Sequence, residues 1–203
     1  MKSENTNDNW EVTWNSRMAA LSEFFGPSAD KVFHATIPFH LGSDLGGQAD
    51  VVFFPSYIGG FAYVTSEMSG EDVGQIEGDF SSYELAICTR SENQKAPDII
   101  SRLARYTCDA RLIAGESMDI GDFFGDDSIR ALLFCHPEGG PISFELNQRK
   151  CGVLLCIGIT KDELEMKIKK GSDALISLLK KNGVFPFTEP NRESVYSKPW
   201  YKF

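Results

Sequence analysis

Apolar residues recur along the chain with spacings that alternate between those of helices and those of strands. Between Trp14 and Phe25 they follow helical spacing, and Gly26 followed by Pro27 blocks continuation, so a first helix is predicted to end near Phe25. Short β-type runs separated by glycine-rich segments come next. They predict a meander of strands at residues 32–39, 50–54 and 59–65, and residues 83–89 predict another strand.

The middle of the chain carries a second helical pattern. Pro97 is predicted to be the first residue of an amphipathic helix, which directs Arg102 and Arg105 toward solvent or a partner. The acidic, glycine-rich segment at residues 121–127 is predicted to be a loop. Its two adjacent phenylalanines could be core anchors or a sticky surface, and we favour the core.

The last third of the chain combines strands with two helix signals. Residues 152–159 form an almost unbroken apolar run, which predicts a central strand buried on both faces. Thr160 and Glu163 have capping-box spacing and predict a helix start, while Gly171 ends that helix and Ser172 is expected to cap the next one. The remaining predicted segments are strands at residues 129–135 and 142–146 and an irregular, proline-containing tail at residues 184–203.

These elements predict a single domain over residues 1–203. The expected fold class is α/β (α+β), with a mixed, mostly antiparallel β-sheet flanked by helices. A chain of 203 residues can bury roughly 70% of the surface that it exposes when unfolded, which favours one core. Hydrophobic residues make up 42% of the chain, so there is enough apolar volume for a packed interior.

The chain is acidic, and its charge bears on the class of partner. It carries 29 acidic and 20 basic residues, for a formal net charge of −9. That charge disfavours binding to nucleic acid or to an anionic membrane surface and attracts a basic partner, although it also serves simple solubility. No apolar stretch approaches the roughly 20 residues needed to span a bilayer, and the first ten residues are polar. We therefore expect a cytoplasmic protein.

The five cysteines fit an intracellular protein. Cys88, Cys108, Cys135, Cys151 and Cys156 are odd in number, and several lie in apolar runs that read as core strands. We expect them to be small buried hydrophobic residues and not disulfide partners.

The motifs of common enzymes are missing from the sequence. There is no G-x-S-x-G nucleophile turn and no glycine loop with the spacing that binds phosphate. His34, His40 and His136 lack the C-x-x-C or H-x-x-x-H spacing of metal ligands. We expect no catalytic site, no metal and no cofactor. A closed polar pocket around one of the three histidines would favour an enzyme instead.

Several segments, taken in order, form a series of motifs. They are GGQAD at residues 46–50, YVT at 63–65 with MS at 68–69, YEL at 83–85, LARY at 103–106, AGE at 114–116, ITKDEL at 159–164 and PNR at 190–192. This series resembles the suppressor-of-fused (SUFU) family, a domain shared by an animal Hedgehog-pathway regulator and many small bacterial proteins. The resemblance is strongest over residues 46–195, with residues 1–30 as an N-terminal extension that holds the first helix.

The resemblance implies a compact mixed α/β fold like the SUFU N-terminal domain, without enzymatic activity or cofactor. It also implies binding to protein through capture of an extended segment, which adds a strand to a sheet edge. Bacterial members resemble immunity proteins encoded beside toxins. We expect no counterpart of the second domain that completes the peptide clamp of the animal protein.

Two binding residues follow from the resemblance. They are Tyr106, the aromatic residue of the LARY block, and Glu116, the acidic residue after the glycine. Tyr106 stands at helical spacing with Ile99 and Leu103, so a core position is an equal alternative. Glu116 is expected to be exposed.

Two function hypotheses follow. The leading one is an immunity protein, or antitoxin, that neutralises a toxin such as a basic nuclease. The alternative is a regulatory adaptor that captures an extended peptide segment on a sheet edge.

Overall fold

The described residues form an eight-stranded mixed sheet with helices on both faces. A computed structural model describes residues 4–34, 49–69, 82–107, 110–125 and 128–196. The strands are β1 (Val32–Phe33), β2 (Val51–Tyr57), β3 (Gly60–Thr65), β4 (Ser82–Thr89), β5 (Ser117–Asp119), β6 (Ile129–Cys135), β7 (Ser143–Leu146) and β8 (Arg149–Thr160). The helices are α1 (Glu4–Phe25), α2 (Lys95–Tyr106), α3 (Lys161–Lys170) and α4 (Ser172–Lys181).

The strand order places the last strand of the sequence near the middle of the sheet. Neighbouring strands run β1-β2-β3-β4-β8-β6-β5, and β7 pairs with β8 off this path. The first three strands form the predicted meander, and β4, predicted as another strand, extends it by pairing antiparallel with β3. Among the pairings of the described strands, β4 with β8 is parallel and the others are antiparallel. The predicted mixed, mostly antiparallel sheet is confirmed.

Alternate side chains of the sheet face two separate apolar layers. The layer under α1, α3 and α4 includes Val153 and Leu155 of β8, and the layer under α2 includes Leu154 and Cys156 of the same strand. β8 is therefore buried on both faces, which is why its sequence is an unbroken apolar run. Within the described ranges, no helix combines the length and hydropathy needed to cross a membrane.

Several element boundaries differ from those predicted. β2 continues through Pro55 to Tyr57, with a bulge that shifts the register after Phe54. α2 begins at Lys95, because the Asn93 side chain accepts a hydrogen bond from the Lys95 amide; the helix therefore does not start at Pro97. Pro97 still lies in the first turn, where a missing N–H has no cost.

Two further element ends are also not as predicted, namely the start of α4 and the extent of the first strand. Ser172 is the first residue of α4 and not its cap, since Gly171 takes the capping position with φ at +88° and no side-chain hydrogen bond. Of the predicted strand at residues 32–39, β1 covers Val32–Phe33, and the part from residue 35 lies outside the described residues.

The irregular tail fills a gap in the sheet. Phe187 pairs in parallel with Cys88 at the end of β4, and the Thr188 amide donates to the Cys88 carbonyl at 2.7 Å. On the other side, the Gly158 amide of β8 donates to Thr188 Oγ1 at 2.8 Å. The tail thus bridges β4 and β8 where these strands diverge. The aromatic residues at 200, 201 and 203 lie outside the described residues.

A buried ion pair joins α1 to the sheet. Glu84 of β4 is fully buried, and its Oε1 lies 3.3 Å from Arg17 Nε of α1, which is 4% exposed in its side chain. The Glu84 carboxylate also accepts hydrogen bonds from Thr65 Oγ1 at 2.7 Å and from the Ser69 amide at 2.8 Å. Arg17 Nη2 donates to the Ser69 carbonyl at 2.6 Å. Each charge is therefore both paired and hydrogen-bonded, as a buried charge requires.

A second buried ion pair joins the tail to α3. Arg192 Nη2 lies 2.5 Å from Glu163 Oε2, with side chains 7% and 0% exposed. The Glu163 carboxylate also accepts from the Thr160 amide at 2.9 Å, while Thr160 Oγ1 accepts from the Glu163 amide, so the predicted capping box is confirmed. Glu163 Oε1 accepts from the Val195 amide at 2.9 Å as well. One carboxylate therefore holds both the helix start and the tail.

Candidate protein-binding site

The end of α2 presents Tyr106 to solvent. Its side chain is 46% exposed, whereas Leu103 and Ala104 of the same turn are buried. The alternative core position for Tyr106 is therefore excluded. Arg102 and Arg105 are exposed, as predicted for the polar face of this helix.

The segment between α2 and β5 is fixed by backbone hydrogen bonds. Tyr83 of β4 accepts a hydrogen bond from the Leu112 amide at 3.2 Å, and burial, the largest cause, raises the pKa of the Tyr83 phenol. The Gly115 amide donates to the Phe134 carbonyl at 2.8 Å, and the Phe134 amide donates to the Glu116 carbonyl at 2.9 Å. Gly115 has φ at +93°, a left-handed conformation that a side chain would strain. The loop is thus held in one conformation against β6.

Glu116 stands exposed where this loop enters β5. Met118, two residues further along, packs against the apolar layer under α2. Alternation along the strand therefore places Glu116 on the same side of the sheet as α2 and Tyr106. Ile113, in the loop between them, is 45% exposed. The expected exposure of Glu116 is confirmed, while its role in binding stays a prediction.

β5 has one edge that no described strand covers. β5 is the last strand in the sheet order and was missed from sequence, because three residues are too few to show alternation. The Glu116 carbonyl and the Ile120 amide bond to β6, so alternation along the ladder turns the N–H and C=O of Ser117 and Asp119 away from β6. We call Tyr106, Ile113, Glu116 and this edge the β5 surface.

Charged groups near β5 are partly paired. Arg130 Nε donates to Asp119 Oδ2 at 3.0 Å, and Arg130 Nη1 lies 3.5 Å from Asp122 Oδ1. A hydrogen bond from the Gly121 amide is the main cause that lowers the pKa of Asp119, and the hydrogen bond and charge of Arg130 lower it further. On the opposite side, Lys167 of α3 donates to Ser117 Oγ at 3.2 Å. The carboxylate of Asp119 therefore stays ionised at neutral pH, and this end of the sheet presents acidic groups beside an open strand edge.

The histidines do not come together. His34 Nδ1 lies 2.7 Å from Asp50 Oδ2, and its side chain is 74% exposed. It borders an open cavity of about 350 Å³ that Ser101 and Arg102 also line. His40 lies outside the described residues, and His136 follows β6. Among the residues that the structure describes, no group of His, Cys, Asp and Glu could hold a metal ion.

The four described cysteines are buried free thiols, as predicted, and Cys108 lies outside the described residues. Burial raises the pKa of Cys135 to about 12 and also raises the pKa of Cys88 and Cys156. A pKa of about 12 leaves roughly one thiol in ten thousand ionised at pH 8. Raised thiol pKa values favour the unreactive form at every pH below them.

We expect N-ethylmaleimide at pH 8 to leave Cys88, Cys135 and Cys156 unlabelled in the native protein and to label all three in urea, as read by peptide mass spectrometry. Raising the pH to 9 increases the thiolate fraction about tenfold, but only to roughly one thiol in a thousand, so native labelling should stay far slower than in urea. Native labelling at rates near those in urea would contradict this assignment.

The family follows from comparison with known proteins. The model of the family described as suppressor of fused protein (SUFU) matches residues 48–193. The chain belongs to the suppressor-of-fused family. This confirms the resemblance drawn from the motif series, which extends over nearly the same residues. No curated protein matches the chain in sequence.

Solved SUFU structures share this fold. A SUFU homologue from Neisseria gonorrhoeae FA 1090 is 18% identical with a TM-score of 0.67, and the alignment covers 93% of this chain and 99% of that one. The crystal structure of the Sufu–Fu complex gives 15% identity, a TM-score of 0.66 and coverages of 90% and 92%. Drosophila Suppressor of Fused gives 15% identity and a TM-score of 0.68; the alignment covers 89% of this chain and 50% of that protein. At these identities the likeness shows the fold.

Proposed function

We propose that this SUFU-family chain is a non-catalytic protein-binding domain, and that it acts as an immunity protein that neutralises a toxin. The observation that supports a binding role is the β5 surface, which combines an open strand edge with three exposed side chains of different chemistry from the segment that leads into β5. An aromatic ring, an aliphatic side chain and a carboxylate beside free backbone groups are suited to an extended protein segment.

Strand addition alone would supply little affinity at this edge. Ser117 and Asp119 together offer two N–H donors and two carbonyl acceptors, each worth about 0.5–1.5 kcal/mol net when bonded. Side-chain anchors must provide the rest, and aromatic residues at the centre of an interface commonly do so. Tyr106 and Ile113, both nearly half exposed, are the anchors that we assign to this role.

The charge of the domain favours a basic partner. A net charge of −9 accelerates encounter with a cationic protein, and Glu116 adds a carboxylate at the proposed contact. A basic nuclease toxin has this chemistry, because an enzyme that binds nucleic acid carries a cationic active-site surface. Covering that surface would block its substrate.

The second candidate is a regulatory adaptor that captures an extended segment without any toxin. It is favoured by one observation, namely that a SUFU relative of the same fold is solved as the Sufu–Fu complex. Both candidates use the β5 surface, so they differ in the partner and not in the site.

Co-expression with the product of the adjacent gene tests the immunity role. We expect the wild-type chain to rescue host growth and to co-purify with that product, more strongly at low than at moderate salt. Glu116→Lys should weaken the complex by about tenfold or more, because it places a cation against a basic partner. The affinity can be measured by calorimetry with an inactive toxin.

The matched control is Glu11→Lys, which makes the same charge change on an exposed residue of α1, on the other face of the sheet. It should keep rescue and affinity. Ser117→Pro removes an outward N–H while sparing the β5–β6 ladder, so it weakens the partner only if a strand is added there. Absence of both rescue and complex would reject the immunity role and leave the adaptor.

A further inference from the structure

A second candidate binding site lies away from the β5 surface. It is a cavity of about 380 Å³ between the end of α1, the β2–β3 turn and the loop that follows β6. Its walls are mainly the rings of Phe24 and Tyr57, the side chain of Ile58 and the two prolines Pro137 and Pro141. A volume near 380 Å³ is at the lower end of small-ligand pockets, about 300–1,000 Å³. We call this cavity the Ile58 pocket.

The turn at Ile58 is unusual for its backbone conformation. Ile58 and Gly59 join β2 to β3 with φ at +48° and +75°, so both central residues of the two-residue turn are left-handed. Such turns favour asparagine, aspartate or glycine, and a β-branched residue there is strained. Ile58 is also 54% exposed. Neither the turn nor the core accounts for an isoleucine here, whereas a partner that covers its side chain does.

The floor of the Ile58 pocket is built from packed aromatic rings. Phe25 is 1% exposed and its ring lies 5.0 Å from the ring of Tyr57 and 5.4 Å from that of Phe54. The neighbouring Phe24 is 39% exposed at the rim. A preformed aromatic floor binds at low entropic cost, because few groups must be ordered on binding.

The charge at the Ile58 pocket is negative. Among the described residues that line it, Glu138 is the charged one, and its side chain is exposed. Glu138 and Tyr57 line the same cavity. Burial first, and then charges that include that of Glu138, raise the pKa of the Tyr57 phenol. Aromatic faces beside a carboxylate attract a cation. A guanidinium fits best, since it stacks on rings and binds a carboxylate through two donors.

We propose that the Ile58 pocket is a docking site for an arginine side chain of a protein partner. The guanidinium lies against Tyr57 or Phe24 and pairs with Glu138, and Ile58 covers the aliphatic stem. This proposal deepens the proposed function and rests on it, because the proposed function supplies the basic protein partner. The pocket and the β5 surface would then be two contact points for such a partner.

Titration of the ¹⁵N-labelled chain with N-acetyl-arginine amide tests the pocket without any toxin. We expect the amide signals of residues 24–26, 56–60 and 138–140 to shift at millimolar ligand and low salt. N-acetyl-citrulline amide has a similar shape without the charge, and its affinity should be lower by a factor of about five or more. Glu138→Gln should weaken arginine binding by a similar factor, and Ile58→Asn should weaken it while suiting the turn.

The matched control is Glu11→Gln, which lies 13 residues before Phe24 on α1, about 20 Å away at 1.5 Å per residue. It should leave arginine binding unchanged. Equal shifts with citrulline or with N-acetyl-leucine amide, tighter binding of N-acetyl-lysine amide, shifts that depend on protein concentration alone, or no shift would each overturn the proposal. Failure of toxin rescue alone would reject the immunity role and leave this result intact.

Discussion

Replacing Arg17 with methionine is expected to lower the free energy of unfolding by about 3–5 kcal/mol, the cost of leaving a buried charge without its partner. Glu84 is fully buried and would keep its neutral hydrogen bonds while losing the guanidinium 3.3 Å away. The Ser69 carbonyl would also lose the Arg17 donor at 2.6 Å. Urea unfolding followed by tryptophan fluorescence measures the change.

Arg130→Met is the matched control for this prediction. Arg130 also pairs with carboxylates, but it is 41% exposed in its side chain, so solvent replaces most of what the pair supplies. A small change there with a large one at Arg17 would show that burial decides the cost. The coupling between Arg17 and Glu84 is measured with Glu84→Gln and with the double variant of Arg17→Met and Glu84→Gln. The double variant should lower the free energy of unfolding by less than the sum of the two single changes. Additive costs would contradict a shared network.

This ion pair explains why separated motifs occur together in the sequence. Three of these motifs are weak signals of the family when each is taken alone. They are the strand ending at Thr65, the Met68-Ser69 pair and the Tyr83–Leu85 segment. In the structure Glu84 accepts from Thr65 Oγ1 and from the amides of Met68 and Ser69. A buried carboxylate must find such partners, so the segments that supply them are constrained together.

Arg17 itself could have been found from sequence. It stands four residues after Thr13 and four before Leu21, and all three are buried on one stripe of α1. An arginine on a buried stripe implies an acid opposite it, because a lone buried charge is too costly. The predicted helical pattern begins at Trp14, which is only partly buried, and does not include Arg17. Which acid pairs with Arg17 depends on tertiary contacts that no local pattern contains.

The elements with a strong local pattern were predictable, whereas β5 and the end of β2 were not. The apolar run of β8 and the capping box at Thr160 each carry a strong local signal, and both were predicted within a few residues. β5 has three residues, and the continuation of β2 past Pro55 needs a bulge that the sequence does not announce. Both of these lie beside the proposed binding surfaces.

Tyr106 lies at the edge of the buried stripe of α2, where sequence periodicity does not decide whether a side chain is buried or exposed. The buried stripe of α2 runs through Ala96, Ile100, Leu103 and Thr107. At 3.6 residues per turn, Tyr106 lies about a quarter turn from the middle of that stripe, at its boundary. Periodicity cannot say whether a residue at the boundary is covered, because that depends on what packs beside the helix. Here its side chain is 46% exposed.

Arg192→Met is expected to release the tail and to lower the free energy of unfolding by about 3–5 kcal/mol. Glu163, fully buried, would lose a guanidinium 2.5 Å away while still accepting from the Thr160 and Val195 amides. The Gly158 carbonyl would lose the Arg192 donor at 3.1 Å. Because the tail pairs with the end of β4, the amides of residues 187–196 should exchange faster with deuterium than in the wild-type protein. The start of α3 should exchange faster too.

Arg90→Met is the control from the same region. Arg90 pairs with Glu189 of the tail and lies over the Phe187 ring, yet its side chain is 50% exposed. Solvent can replace much of that pair, so a much smaller loss of stability is expected. If both variants loosened the tail equally, surface contacts and not the buried carboxylate would hold it. If Arg192→Met alone does so, the α3 start and the tail form one unit, because Glu163 serves both through the same two oxygens.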